Sequence, residues 1–179
     1  MDAQLVTYFI ENGRPWVVAQ RELHRPNGRT LTTQESAALL PYFNAATLNS
    51  VVIREVPLIE NPGFYAELAA RDTRPPLDFS QMHGITFVDT IVVTRQRMDS
   101  NNTPWLSLLF HECVHVCQYR ALGVASFVKY YVEGWAQHGF NYFAIPLEVQ
   151  AYQLQHSYDS TMQPFPAEQI VNQSLGRKA

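Results

Sequence analysis

The 179-residue sequence has little of what marks a secreted, membrane-spanning or nucleic-acid-binding protein. It holds only two cysteines, which is too few for a disulfide framework. No apolar run reaches about 18 residues, and the first residues lack the basic start and apolar centre of a signal peptide. The formal charge is −3, and no basic cluster stands out. We therefore expect a cytoplasmic protein with no membrane span and no nucleic-acid partner.

A chain of this length forms one domain of ordinary size, with 46% hydrophobic residues to build its core. We detect no internal repeat, so residues 1–179 are interpreted as a single domain. Its tail, residues 163–179, holds two prolines and a basic end, and we expect it to be mobile or loosely docked. The oligomeric state cannot be predicted from these features.

The most informative segment is His111-Glu112-Cys113-Val114-His115. Histidines four positions apart share one face of a helix, about 6 Å apart at Cβ, so both can bind one metal ion. The glutamate between them can reach a water molecule on that ion. This is the HExxH pattern of zinc hydrolases, in which the glutamate is a general base. The alternative is a pair of core histidines hydrogen-bonded to carbonyl groups.

The motif belongs to a predicted helix over residues 104–123. Thr103 is typical of an N-cap, Pro104 of a first helical residue and Gly123 of a helix stop. The helix is apolar nearly all round, which predicts a central position in the fold. Cys113 and Cys117 lie on the side away from the histidines, so we interpret them as buried thiols and not as ligands.

A catalytic zinc ion usually has three protein ligands, and the motif supplies two. Glu148 is the favoured third ligand, in the first turn of a helix predicted to start at Pro146 and to end near residue 157. Glu133 and His138 are the alternatives. Glu133 lies on an amphipathic helix over residues 124–138 and could face solvent, whereas His138 could cap the end of that helix.

At this point the chain resembles a known type of enzyme. HExxH is followed by Gln118, then by a tyrosine-rich helical stretch and by residues 146–152, in which Glu148 stands in an ExxA context. This order is similar to that of the gluzincin metallopeptidases, and most of all to small bacterial zinc peptidases of unassigned function. The resemblance covers about residues 84–155.

The resemblance implies one zinc ion per chain, held by His111, His115 and Glu148, with Glu112 as the general base. It also implies a zincin-like α+β fold, with a short mixed sheet packed on helices. A peptidase further needs a donor to the oxygen that becomes negative, and Tyr152 is our first choice and His138 our second.

The sheet of this fold is predicted at two places. Residues 84–94 alternate well enough for one strand, and residues 51–56 are predicted to form another strand of the same sheet. The edge of the first strand would lie along the cleft and bind an extended peptide. Asp89 is interpreted as a guard of the strand edge, or else as a partner of a histidine.

Two further segments carry local signals. A capping box at residues 32–35 predicts a short helix that ends before Pro41. Residues 61–80 are predicted to form a long loop with one helical turn at 65–70.

The sequence thus predicts a zinc metallopeptidase that acts on a peptide or protein substrate. The alternative is a zinc-binding domain of the same fold that binds a partner without turnover. A structural protein whose histidines meet no metal is the third possibility.

Overall fold

Helices dominate the computed structural model, which describes residues 3–69, 77–95, 104–161 and 163–176. Within these residues the chain is an α+β domain with seven α-helices and one mixed four-stranded sheet. The helices are α1 (Ala3–His24), α2 (Thr33–Leu39), α3 (Ala45–Leu48), α4 (Tyr65–Ala69), α5 (Trp105–Gln137), α6 (Pro146–Ser160) and α7 (Ala167–Leu175). The strands are β1 (Arg29–Thr30), β2 (Val52–Glu55), β3 (Gly84–Phe87) and β4 (Thr90–Val93).

The sheet has the strand order β1-β2-β4-β3, so that β3 lies at one edge. Strand β2 pairs with β4 in parallel, with Ile53 opposite Ile91, and the other two pairings are antiparallel. The predicted strand at residues 51–56 is confirmed as β2, in the same sheet as residues 84–93. Both faces of β4 are buried.

The prediction of one strand over residues 84–94 is wrong, because this segment is a hairpin. Strands β3 and β4 are joined by Val88 and Asp89, and Val88 has a φ of 64°. A β-branched residue seldom adopts this conformation, so the sequence carries no turn signal here. The Asp89 carboxylate accepts two hydrogen bonds from Arg21, at 2.7 and 2.9 Å, and pairs with Arg25 at 3.1 Å. It therefore fastens the turn to α1 and is neither an edge guard nor a histidine partner.

Helix α5 carries the HExxH motif through the centre of the domain. Residues 107–119 are all buried, as expected for a helix that is apolar nearly all round. Gly123, with a φ of 71° and a ψ of 164°, breaks the helical backbone where a stop was predicted, and residues 124–137 continue as a second helical segment. The predicted N-cap Thr103 lies outside the described residues. Pro104 is itself the N-cap rather than the first helical residue.

Helix α1 packs against α5. No helix was predicted for these residues. Its buried residues Leu5, Phe9, Gly13 and Val17 recur every four positions, which is the pattern of a helix face. This face packs against α5 and lies close to the edge strand β3.

The remaining local predictions are confirmed in large part. Helix α2 begins with the predicted capping box at Thr32, and α6 begins at Pro146 and continues to Ser160. Helix α4 occupies most of the helical turn predicted at 65–70, and residues 70–76 of the predicted loop lie outside the described residues. The tail departs from the loose docking expected for it, because α7 buries Ala167, Val171 and Leu175 against the core.

Within the described residues, no helix combines the length and the apolar character needed to cross a bilayer.

Candidate metal centre

Three side chains that can bind a metal meet between α5 and α6. His111 and His115 lie on consecutive turns of α5, and Glu148 lies in the first turn of α6. The Nε2 atoms of the two histidines are 3.1 Å apart. Glu148 Oε2 lies 3.4 Å from His111 Nε2, and Glu148 Oε1 lies 3.5 Å from His115 Nε2. These three residues, called the ligand cluster below, are all buried and could hold a metal ion.

The two alternatives for the third ligand lie elsewhere. Glu133 is a partly exposed side chain on α5 that pairs with Lys129 at 3.9 Å. His138 is the C-cap of α5, where its Nδ1 lies 2.7 Å from the carbonyl oxygen of Gly134. Among the described residues, neither belongs to the group of ligand atoms around His111 and His115. The favoured residue, Glu148, is thus the one that the fold brings to the histidines.

A buried glutamine orients His115. Gln118, one turn further along α5, donates from Nε2 to the carbonyl oxygen of Leu147 at 2.9 Å. Because the amide nitrogen faces this acceptor, Gln118 Oε1 is the atom that lies 2.8 Å from His115 Nδ1. We therefore assign the proton of the His115 ring to Nδ1, which leaves the lone pair of Nε2 directed at the cluster when the ring is neutral.

His111 is oriented in the same way by a residue of α6. Gln155 Oε1 lies 2.9 Å from His111 Nδ1, and Gln155 Nε2 donates to Ser107 Oγ at 2.9 Å. The Ser107 hydroxyl in turn donates to Asp159 Oδ2 at 2.8 Å. This chain of donors fixes the amide of Gln155 and so assigns the His111 proton to Nδ1. Ligand histidines are held in this manner by hydrogen bonds to their outer nitrogen.

The charge of Glu148 is set by its burial and by the two histidines. Although burial opposes a negative charge, the adjacent histidines hold the pKa of Glu148 well below its ordinary value. Burial also opposes a positive charge on His115, but the Glu148 carboxylate raises the pKa of His115 to about 9. Tyr131 donates to Glu148 Oε1 at 2.7 Å, whereas the buried Oε2 atom has no hydrogen-bond partner among the residues that the structure describes. A buried carboxylate oxygen without a donor is costly, and a cation would satisfy it.

Glu112 lies beside the cluster, between α5 and the edge strand β3. The hydroxyl of Thr86 donates to Glu112 Oε2 at 2.7 Å. The other oxygen, Oε1, lies against Gly84, where a Cβ atom would be only 2.7 Å from it. Gly84 therefore leaves room for the carboxylate, and Thr86 fixes its orientation.

The residues proposed as oxyanion donors have different surroundings. The ring of Tyr152 lies on that of His111, with centroids 4.6 Å apart, at the rim of the site. Tyr152 is 38% exposed, and the neighbouring Phe143 is 70% exposed. His138 has the capping position described above, at the far end of α5. Cys113 and Cys117 are buried free thiols, as interpreted from the sequence.

An apolar pocket of about 110 Å³ opens beside the ligand cluster. Its polar end is formed by Glu112, His115, Tyr131 and Glu148. Its remaining walls come mainly from α1, from residues 62–65 and 77–82, from β3 and from the second segment of α5, and among them are Phe9, Gly13, Trp16, Phe79, Met82, Val128 and Trp135.

Sequence reasoning missed three residues of the site, namely Gln155, Thr86 and Tyr131. Gln155 follows Glu148 by seven positions on α6, a spacing that places both on one helix face and could have indicated it. Thr86 and Tyr131 carry no comparable signal, because their roles depend on how β3 and the second segment of α5 pack on the motif.

The chain was compared with protein-family models, with curated proteins and with solved structures, and none of these comparisons finds a match.

Proposed function

We propose that this protein is a zinc-dependent metallopeptidase of the gluzincin type, with Glu112 as its general base. The observation that carries the proposal is the meeting of His111, His115 and Glu148 next to that glutamate. Two oriented imidazoles and one carboxylate are a common ligand set of catalytic zinc, and they leave one position for a water molecule.

The spacing of the ligand atoms supports zinc. Ligands at about 2.1 Å from a tetrahedral zinc ion lie about 3.4 Å from one another. The two Nε2 atoms are 3.1 Å apart, each lies 3.4 or 3.5 Å from one of the two Glu148 oxygens, and one ligand atom from each residue lies within 4.8 Å of the others. The partnerless Oε2 atom of Glu148 is the group that an ion would satisfy. Imidazole nitrogen with carboxylate oxygen also suits zinc better than calcium or magnesium, which prefer oxygen ligands alone.

Zinc bound at this site would lower the pKa of a water molecule and polarise the carbonyl group of a substrate. Glu112 would take the proton of that water at its carboxylate and deliver it to the leaving nitrogen. The hydrogen bond from Thr86 to Glu112 Oε2 keeps the side chain directed along β3 during both transfers. Tyr152 is the proposed donor to the negative oxygen because its ring lies against the ligand His111.

Strand β3 offers the backbone groups that a peptide substrate would need. The hydrogen-bonded pairs of the hairpin fall on Phe87 and Ile85, because Phe87 and Thr90 flank a two-residue turn. The backbone N–H and C=O groups of Gly84 and Thr86 therefore point away from β4, towards the edge that carries no further strand among the described residues. Both residues also contact Glu112. An extended peptide added at this edge would bring its backbone close to the base.

The fold also agrees with the zincin-like architecture that we propose, because the edge strand of a mixed sheet precedes the motif helix. Helix α5 packs along β3 and against α6, which supplies the third ligand.

The direct test is Glu112→Gln, with Glu133→Gln as its matched control on the same helix. We expect Glu112→Gln to keep about one zinc per chain and to lose cleavage of a peptide library by roughly 10²–10⁴-fold. Glu133→Gln should keep both properties, since its side chain is partly exposed and pairs with Lys129. Cleavage by Glu112→Gln at the wild-type rate would refute the assigned base.

The second candidate is a zinc-binding domain without turnover. The observation that favours it is the pocket enclosed by aromatic side chains, which could retain a ligand without cleaving it. A wild-type protein that binds zinc but cleaves no member of the library would establish this candidate in place of the first.

A further inference from the structure

We propose that the apolar pocket selects peptides with a leucine-sized side chain next to the cleaved bond. This inference rests on the proposed function and names the substrate class of the same site. Ten of the 24 residues that line the pocket belong to α1 and to residues 62–65 and 77–82, which lie outside the motif-bearing core at 84–155. The selectivity therefore depends in part on segments outside that core.

The distribution of polarity in the pocket matches one side chain of a bound peptide. Its ionisable acidic and histidine groups, Glu112, His115 and Glu148, belong to the candidate metal centre, where they would surround the reacting amide. Most of the other lining residues are apolar or aromatic, and Phe9 and Met82 are among them. A charged or strongly polar side chain would lose its hydration here without gaining partners. An aliphatic side chain would be transferred out of water at a gain.

The size of the pocket indicates a branched aliphatic group. Its volume is about 110 Å³. An apolar cavity of about 150 Å³ accepts benzene. A four-carbon side chain therefore fits better than an aromatic ring, and an alanine methyl group would leave most of the space empty.

The pocket walls are held in place by packing, so the pocket should discriminate strongly between side chains of different size. The ring of Trp16 lies 5.2 Å from that of Phe79 and 5.2 Å from that of Phe87, so the side of α1 that faces the pocket is fixed by aromatic contacts. Where α1 meets α5, a Cβ atom on Gly13 would lie 3.2 Å from Val128 Cγ1. Any side chain at Gly13 would therefore narrow the pocket, and a smaller residue at position 128 would reopen it.

The test measures binding separately from cleavage. N-acetyl amides of leucine, alanine, phenylalanine and aspartate are titrated in zinc-containing buffer into full-length protein that carries Glu112→Gln, and binding is followed through the methyl NMR signals of Ile85 and Met82, which line the pocket. Each buried CH₂ group adds roughly fourfold to the affinity. We expect the leucine amide to bind roughly 50-fold more tightly than the alanine amide, and the aspartate amide to bind most weakly.

Three additional variants locate the selectivity. Gly13→Ala, which also suits a helix interior better than glycine, should reduce the leucine preference at least fivefold. The double variant Gly13→Ala with Val128→Ala should recover it. Val18→Ala is the matched control for the valine change, because Val18 lies on the exposed side of α1 and should change nothing.

Equal affinities for the leucine, alanine and aspartate amides would overturn the inference, and so would a leucine preference that Gly13→Ala leaves unchanged. A preference that follows the changes at positions 13 and 128 supports it even if the wild-type protein cleaves no peptide, in which case only the proposed function fails. Conversely, cleavage without any side-chain preference would leave the proposed function standing and refute the pocket's role.

Discussion

Replacing Gln155 by leucine should weaken zinc binding without removing any ligand. Gln155 Oε1 lies 2.9 Å from His111 Nδ1, and its amide nitrogen donates to Ser107. Leucine has a similar volume but neither polar atom, so the His111 ring would lose the partner that fixes its tautomer and orientation. Losses of this kind cost 10–100-fold in metal affinity, which corresponds to about 1.4–2.7 kcal/mol. The metal-free protein should lose about 1–2 kcal/mol of unfolding free energy, since Gln155 is only half-buried.

The assay is a competition titration with a zinc chelator of known affinity at fixed pH. The matched control is Gln153→Leu, because Gln153 is exposed on the same helix two positions away. We expect the control to bind zinc like the wild type. A loss of less than threefold in Gln155→Leu, or an equal loss in both variants, would show that the hydrogen bond to His111 does not hold the ligand.

Two further predictions concern the base and the acid stability of the fold. In Gly84→Ala the added methyl group would lie within 2.7 Å of Glu112 Oε1. Peptide cleavage should therefore fall at least tenfold, while the zinc content stays the same. An unchanged cleavage rate would contradict the role of Gly84. Although burial opposes it, hydrogen bonds from Arg29, from the Thr32 backbone and from Trp105 lower the pKa of Glu35 to about 2. Because the folded pKa lies below the ordinary value, this stabilisation is full above about pH 4.5 and is lost as the pH falls towards 2. In urea unfolding, the unfolding free energy of the wild type should therefore exceed that of Glu35→Gln by about 1–2 kcal/mol at pH 7. The difference should be much smaller at pH 2.5, and an equal difference at both pH values would refute this account.

The sequence was sufficient to predict the centre of the site because its signals are local. The spacing of His111 and His115 follows from helix geometry alone. Proline at the start of α6 placed Glu148 in a first turn, and the structure brings that turn to the two histidines. Gly123 likewise marked the break in α5.

The parts that sequence reasoning missed depend on contacts between distant segments. The hairpin turn at Val88 and Asp89 has no glycine or asparagine to signal it, and it depends on Arg21 of α1. Gln155 is 44 positions from His111, and its role follows only from the packing of α6 on α5. The pocket wall from α1 could have been suspected from the four-residue spacing of its apolar face, but its position beside the cluster could not.

Zinc analysis of the purified protein together with X-ray absorption spectroscopy of the bound ion tests the central claim most directly. Our account predicts about one zinc ion per chain, with two imidazole nitrogens and carboxylate oxygen among its ligands, and a loss of that ion in Glu148→Ala. A wild-type protein without affinity for zinc, or zinc that stays bound with unchanged ligands after Glu148→Ala, would contradict it.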